Sequence, residues 1–156
     1  MGKSVISIRP CKTSDCRFVW RLRNEKTARQ FAFNTAYIPY KRHIGWFRKK
    51  LKDNSSYIFI VLNNKRRIGE VRLDSDKKNS AEIGIHMLKK ERGRGLGSAA
   101  LKAASSHALR KMRLKKIVAH IKKDNIASVK AFENAEFTNT GIVRVKRQPA
   151  YRMVLK

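Results

Sequence analysis

Three glycines between a predicted strand and a long predicted helix constrain this chain more than any other feature. They are Gly93, Gly95 and Gly97, within the segment ERGRGLGS at residues 91–98. Glycine lets a backbone turn tightly and expose its N–H groups. The first turn of the following helix adds N–H donors that have no intrahelical acceptor, together with a partial positive charge. The segment therefore predicts a binding site for an anion such as a diphosphate.

Other glycine motifs fit this segment less well. A P-loop needs Gly-Lys followed by Ser or Thr after four intervening residues, and the segment lacks that combination. A dinucleotide fingerprint can be placed on residues 95–100, but the predicted strand ends before it. No acidic residue lies near His120, about 20 residues further on, to hold a ribose. The pattern Arg/Gln-x-x-Gly-x-Gly/Ala fits Arg92, Gly95 and Gly97, and the remaining alternative is a flexible loop without a ligand.

The hydrophobic pattern predicts one mixed α/β domain. Strands are predicted over residues 4–9, 57–62, 67–73, 81–87, 116–121, 137–145 and 151–155. Helices are predicted over residues 14–24, 25–31, 40–51, 96–112 and 125–135. Turns are predicted at residues 63–64, 74–79 and 147–149. A helix–strand–helix stretch after an antiparallel meander implies at least one parallel strand pair.

The chain is strongly basic, with 38 Lys and Arg against 11 Asp and Glu and a formal net charge of +27. The charge is spread along the sequence, and short runs at residues 48–50, 65–67 and 113–116 are typical of solvated surface. Such a field attracts phosphate-rich partners, including nucleic acid and phosphorylated small molecules. Charge alone does not distinguish these partners.

Composition excludes several other classes of protein. Hydrophobic residues make up 42% of the chain, enough for a packed core. No apolar run reaches the roughly 18 residues of a membrane-spanning helix, and the apolar stretch within residues 1–10 is too short for a signal peptide. Cys11 and Cys16 are too few for a disulfide scaffold, and no Cys/His spacing fits a zinc site. We therefore expect a cytoplasmic protein with reduced thiols and no metal.

Four features in order resemble the GNAT family of N-acetyltransferases, over residues 6–155. They are the glycine segment, the strand before it at residues 81–87, the segment DNIASVKAFENAEF at residues 124–137, and the strand order. The third is similar to the family's Asn-x-x-Ser…Tyr…Gly-Phe segment. The resemblance implies a single GNAT-like α/β domain over residues 1–156. Its twisted, mostly antiparallel sheet has about seven strands, with helices on both faces.

The resemblance also implies an enzyme that transfers an acetyl group from acetyl-CoA to a primary amine. Similarity is closest to a subgroup that acetylates nucleotide-linked amino sugars in pseudaminic- or legionaminic-type pathways. It lies in residues 22–25 (LRNE), 43–47 (HIGWF), 69–74 (GEVRLD) and 119–132. The alternatives are a protein N-terminus, a ribosomal protein or an antibiotic as acceptor. An alternative of another class is a nucleic-acid-binding module on a degenerate acetyltransferase fold.

Several residues are assigned to acetyl-CoA by the resemblance. The diphosphate would lie on the main-chain N–H groups of residues 93–98, and the pantetheine arm beside residues 85–87 as an added strand. The predicted cofactor-binding residues are Ile85, Met87, Arg92, Gly93, Arg94, Gly95, Leu96, Gly97, Ser98, Asn125 and Phe132. Asn125 and Phe132 share a helix face. The alternative is that Asn125 only caps the helix and Phe132 only packs in the core.

Two residues depart from the family pattern. Phe132 stands where the family often has a tyrosine that protonates the leaving thiolate, so water, another group or unassisted departure must serve. Glu136 occupies the place of the usual glycine before Phe137. If Glu136 adopts a positive φ, the strain costs about 1 kcal/mol.

A base must take a proton from the attacking amine, directly or through water. The predicted catalytic candidates are Glu82 and Glu70, followed by His86. Glu82 and His86 share one face of their strand, and Glu70 lies on the neighbouring strand. Each glutamate has a salt-bridge role as its alternative.

The acceptor is expected to contact residues from the first helices and the meander. The predicted substrate-binding residues are Arg23, Asn24, His43, Trp46 and Arg72. Aromatic faces pack against sugar rings, and arginines hold phosphates or carbonyls. For each residue the alternative is a purely structural contact. We expect a monomer or a homodimer.

Overall fold

The computed structural model describes residues 3–76 and 78–156. The helices are α1 (Cys16–Asn24), α2 (Lys26–Phe31), α3 (Tyr40–Lys52), α4 (Leu96–Arg110) and α5 (Ile126–Asn134). The strands are β1 (Ile6–Pro10), β2 (Ser56–Asn63), β3 (Arg66–Ser75), β4 (Ser80–Met87), β5 (Lys116–Lys122), β6 (Thr138–Val145) and β7 (Gln148–Leu155). Short 3-10 helices span Thr13–Asp15 and Lys89–Glu91. Residues 1 and 2 of the N-terminal stretch and residue 77 of the predicted 74–79 turn lie outside the described residues.

The seven strands form one sheet in the order β1-β2-β3-β4-β5-β7-β6. The pair β4–β5 is parallel, and the other neighbouring pairs are antiparallel. Helix α4 makes the crossover that a parallel pair requires. The predicted sheet, with its one parallel pairing, is therefore confirmed.

Strand alternation divides the core into two clusters, one on each face of the sheet. On β2, Phe59 and Val61 pack with residues of α4 and α5. Ile58 and Ile60 point the other way and pack against Val19 of α1 and Phe47 of α3. Helices therefore cover both faces, and α1 and α3 cover the face opposite α4.

Two hairpin turns differ in position from the predicted ones. The β2–β3 turn is centred on Asn64 and Lys65, with φ of 50° and 72°, and the β6–β7 turn on residues 146–147, with φ of 47° and 66°. Positive φ at both central residues is the backbone that two-residue hairpins favour. Strand β7 begins at Gln148 and contains Pro149. A proline fits there because at that position β7 pairs with β6 alone, and pairing with β5 starts only at Ala150.

Helix α5 ends in a Schellman motif built around Glu136. The Phe137 N–H donates to the Phe132 carbonyl at 3.0 Å, and the Glu136 N–H donates to the Glu133 carbonyl at 2.9 Å. Glu136 has φ of 72°, and the rings of Phe132 and Phe137 meet edge-to-face at 5.0 Å. The sequence left open whether Glu136 adopts a positive φ; the structure places it in the left-handed position that usually carries glycine.

Candidate active site

Strands β4 and β5 separate part-way along their length. They pair at Ser80–Lys116, Ala81–Ile117 and Glu82–Val118, although β4 continues to Met87 and β5 to Lys122. On its other side β4 stays paired with β3 as far as Met87. Within the described residues, the main-chain groups of residues 83–87 that point toward β5 therefore lack a strand partner. This wedge suits an extended ligand that binds as an added strand.

The glycine segment forms a cradle at the start of α4. Gly93 and Gly95 have φ of 74° and 76°, and Gly95 is the N-cap of α4. No described side chain caps this helix end, so the N–H groups of Leu96, Gly97 and Ser98 are available to a ligand. A Cβ atom at Gly93, Gly95 or Gly97 would meet nothing within 4 Å, which shows open space in front of the loop. These residues therefore fit the diphosphate of a coenzyme.

The arginines of this segment hold the loop in place through their side chains. Arg92 donates to the Met87 carbonyl at 3.2 and 3.0 Å and to the Glu25 carboxylate at 2.9 Å. Arg94 donates to Glu91 at 2.7 Å. The Arg92 guanidinium thus ties the end of β4 to the start of α2. Any contact of Arg92 or Arg94 with the cofactor remains a prediction.

Glu25 has two roles at the start of α2. Its carboxylate accepts the Ala28 N–H at 3.0 Å, which caps the helix, as well as the bond from Arg92. Burial raises the pKa of Glu25, but the bonds from the Ala28 N–H and from Arg92 outweigh it and lower the pKa to about 2. Glu25 belongs to the segment at residues 22–25 quoted above but had no predicted role, because its partner Arg92 is 67 positions away.

Helix α5 lies beside the cradle. The Ser98 hydroxyl donates to the Ala131 carbonyl at 3.2 Å, which joins α4 to α5. The Asn125 side chain accepts the Ser128 N–H at 3.3 Å and caps α5. Phe132 is buried in the larger core cluster. The structure therefore gives Asn125 and Phe132 the capping and packing roles, and their contact with a cofactor remains a prediction.

The face of β4 opposite α4 carries Glu82, Gly84 and His86. Across the β3–β4 pair, Glu70 lies opposite His86 and Arg72 opposite Gly84. The Glu70 carboxylate is 2% exposed and lies 2.7 Å from His86 Nδ1. Burial raises the pKa of Glu70, but the hydrogen bond and charge of His86, with the charges of Arg72 and Arg23, hold the net pKa below its ordinary value.

Glu82 has different surroundings. Its side chain is 61% exposed and lies 3.3 Å from His120 Nδ1. The three predicted catalytic residues therefore form a pair, with Glu70 buried and His86 partly exposed, and a separate, exposed Glu82. The sequence ranked Glu82 and Glu70 above His86; the structure pairs Glu70 with His86 and places Glu82 apart from them, and their catalytic roles stay predictions.

Four predicted substrate-binding residues meet above this face. The guanidinium of Arg23 lies 3.9 Å from the centre of the Trp46 ring, and that of Arg72 lies 5.4 Å from it. Arg23 also donates to His43 Nδ1 at 3.2 Å. Burial and the nearby charge of Arg72 lower the pKa of Arg23 to about 10. The result is a half-buried cationic cluster beside His86.

Asn24, the fifth predicted substrate residue, makes structural hydrogen bonds, and its contact with a substrate stays a prediction. Its amide donates to the Ile38 carbonyl at 2.9 Å and accepts the Ile38 N–H at 2.8 Å. These two bonds fix the loop between α2 and α3, so both ends of the side chain have a protein partner.

The comparisons with known proteins address the family. The model for the acetyltransferase (GNAT) domain matches residues 6–138. The chain belongs to the GNAT acetyltransferase family. It is similar to acetyltransferase PseH of Campylobacter jejuni, with 23% identity over 126 residues that cover 81% of this chain and 78% of PseH. It is also similar to spermidine N(1)-acetyltransferase of Vibrio cholerae, with 25% identity over 141 residues that cover 88% and 82%.

Solved structures share the fold of this GNAT chain. Spermidine N-acetyltransferase from Vibrio cholerae, in complex with CoA and spermine, has a TM-score of 0.85 at 23% identity and covers 96% of this chain and 94% of its own. Aminoglycoside acetyltransferase AAC(6')-Ib, in complex with coenzyme A and kanamycin, has a TM-score of 0.85 at 18% identity, with coverage of 97% and 94%. The predicted GNAT fold, the N-acetyltransferase class and acetyl-CoA as the donor are thereby confirmed.

Two further findings concern the described residues. None of their helices is long and apolar enough to cross a membrane. Residues 3–76 and 78–156 contain no group of three or more His, Cys, Asp or Glu side chains that could hold a metal ion.

Proposed function

We propose that this GNAT enzyme acetylates the primary amine of a small anionic acceptor, and that a nucleotide-linked amino sugar is the acceptor class. The cationic cluster of Arg23 and Arg72 around Trp46, beside His86, carries this proposal. A diphosphate on the acceptor complements that charge, and Trp46 presents an aromatic surface for a sugar ring.

Two carboxylates near this cluster already have partners within the protein. Glu70 pairs with His86, and Asp74 pairs with Lys50 and Arg72 at 2.9 and 3.0 Å. In the described part of the chain, Arg23 makes no salt bridge with a carboxylate. A polyamine or an aminoglycoside is a polycation and needs free carboxylates. The local charge therefore favours an anionic acceptor, as does the formal net charge of +27.

Main-chain N–H groups would bind the acetyl donor. When bound, acetyl-CoA supplies an activated thioester. The N–H groups of residues 96–98 would hold its diphosphate, and those of residues 83–87 would face its arm in the wedge. One of these strand N–H groups would stabilise the negative charge that develops on the acetyl oxygen when the amine attacks.

The direct test compares three acceptors at equal ionic strength: UDP-glucosamine, spermine and kanamycin. The readout is acceptor-dependent release of CoA, with the acetylated product identified by mass spectrometry. We expect the highest kcat/KM for UDP-glucosamine, a decrease with added salt, and inhibition by UDP. A higher kcat/KM for spermine or kanamycin would overturn the anionic acceptor.

A matched pair of variants tests the cluster itself. Arg23→Gln removes a charge that faces Trp46, whereas Arg21→Gln removes the same charge from an exposed position on the same helix. We expect Arg23→Gln to lower kcat/KM for UDP-glucosamine roughly 10-fold or more, with less than about a threefold change for Arg21→Gln. Equal effects of both variants would indicate general attraction by net charge and no defined site.

A further inference from the structure

The Glu70–His86 pair has a geometry that defines the protonation of the imidazole ring. The two residues lie opposite each other on β3 and β4, and the carboxylate lies 2.7 Å from Nδ1. An ionised carboxylate only accepts hydrogen bonds, so the neutral ring must carry its proton on Nδ1. Nε2 is then left with a lone pair that can accept a proton.

Three other groups near this face, His43, Arg23 and Arg72, are less suited to accept a proton. His43 uses both nitrogens, since Nδ1 accepts from Arg23 and Nε2 donates to the Cys16 carbonyl at 2.9 Å. Burial lowers the pKa of His43, which favours the neutral ring. Arg23 and Arg72 are donors only.

Gly84 leaves room beside His86. A Cβ atom there would meet nothing within 4 Å, and its φ is not among the positive ones. Gly69 is a useful contrast, because a Cβ at that position would lie 2.6 Å from the His86 carbonyl and 2.5 Å from Met87 Sδ. Packing therefore requires glycine at 69 but not at 84. The open space at Gly84 faces the same side as His86, two residues beyond the last β4–β5 pair.

We infer that His86 Nε2 accepts the proton of the attacking amine, and that the buried Glu70 is the positioning residue that orients the ring. This inference rests on the proposed acetyl transfer. The amine nitrogen bonds to the acetyl carbon, the carbon–sulfur bond breaks, and its electron pair leaves with the sulfur. The amine proton passes to Nε2 and then to the thiolate, directly or through water. The ring is thereby restored without a tyrosine at position 132.

The first experiment determines the tautomer of the His86 ring and needs no amine substrate. ¹⁵N NMR of the imidazoles, with His86→Gln to assign the signal, is recorded at a pH where the rings are neutral. We expect the Nδ1–H tautomer in the wild type and in Glu70→Gln, because an amide oxygen also accepts. In Glu70→Met, which has no acceptor oxygen in the side chain, the ring should lose its preference for the Nδ1–H tautomer. An Nε2–H tautomer in the wild type, or no response to Glu70→Met, would overturn the assignment.

The second experiment measures catalysis over a range of acetyl-CoA concentrations up to saturation. Both acetylation of UDP-glucosamine and the slow release of CoA to water are followed, since water as nucleophile gives its proton to the same nitrogen. We expect His86→Gln to lower kcat roughly 100-fold in both reactions, with little change in KM for acetyl-CoA. Glu70→Met should lower kcat roughly 10-fold, and Glu70→Gln should restore most of it.

The control is His120→Gln, which removes the other imidazole whose Nδ1 lies near a glutamate. Full activity of His86→Gln, or an equal loss in His120→Gln, would overturn the role of His86. If UDP-glucosamine is not acetylated, the proposed acceptor fails. The ring signal and the water reaction still decide the role of the Glu70–His86 pair.

Discussion

Glu136 gives the sharpest quantitative prediction, because it holds a left-handed backbone position in a complete Schellman motif. Both bonds of the motif are formed, and the Phe132–Phe137 contact accompanies them. At φ of 72° a Cβ atom is close to the following carbonyl oxygen. That conformation costs about 1–2 kcal/mol for a residue other than glycine.

Replacement by glycine removes this strain but adds freedom to the unfolded chain, which costs about 0.4–1 kcal/mol. Glu136→Gly also removes a negative charge near a helix C-terminus, and Glu136→Gln makes the same change in charge while keeping Cβ. The difference between the two variants isolates the backbone contribution. We expect Glu136→Gly to exceed Glu136→Gln by about 1 kcal/mol in free energy of unfolding, equivalent to about 2–4 °C in Tm.

Urea denaturation and calorimetry of both variants measure this difference. The affinity for acetyl-CoA should stay the same, since the Schellman motif retains its main-chain bonds in either variant. If Glu136→Gly is no more stable than Glu136→Gln, Glu136 does not carry left-handed strain and the reasoning fails.

Three other predictions follow from the glycines and from Asp15. Gly97→Val should abolish the thermal stabilisation by acetyl-CoA, which is about 2.7 kcal/mol at 100 times Kd. Gly97→Ala, which the family pattern allows, should retain most of this stabilisation. Equal shifts in Tm for the two variants would contradict the cradle. Gly69→Ala should lower the free energy of unfolding by at least 1 kcal/mol because β3 and β4 must separate, whereas Gly84→Ala should not; urea denaturation compares them. Burial raises the pKa of Asp15, but bonds from Arg9, the Lys12 N–H and Arg67 lower it to about 2. The stabilisation from the Asp15 carboxylate is therefore complete above the carboxyl's ordinary pKa and is lost as pH falls through about 2. Asp15→Asn should flatten the decrease of the free energy of unfolding at acid pH. An unchanged decrease would argue against the ion pairs of Asp15 with Arg9 and Arg67.

Much of the fold was predictable because its signals are local in the chain. The two-residue alternation of the strands located the meander, and glycines before an Ala/Leu-rich stretch located the start of α4. The same locality explains the errors in turns and ends. The residues of the β2–β3 and β6–β7 turns depend on the register between strands, which a single strand does not contain.

The candidate site was only partly predictable. The predicted substrate-binding residues were Arg23, Asn24, His43, Trp46 and Arg72. The structure brings all of them together except Asn24, which is bonded to Ile38. The local sequence pattern could not rank Glu82, Glu70 and His86 as proton acceptors, because these residues differ in burial, which the pattern does not show. Glu70 is buried on the sheet face against which α1 and α3 pack, while Glu82 remains exposed on β4.

The sequence by itself indicated the positions that need an unusual backbone or a helix start, namely the glycine segment before α4, the start of α5 at Asn125, and position 136, where the family pattern has glycine. These depend on neighbours a few residues apart, so the order of amino acids is sufficient. Only the tertiary structure decided which charged groups meet. Glu70 and His86 are 16 positions apart, and Glu25 and Arg92 are 67 apart. Strand register and helix packing bring each pair within hydrogen-bond distance, and burial then determines which carboxylate is shielded from water.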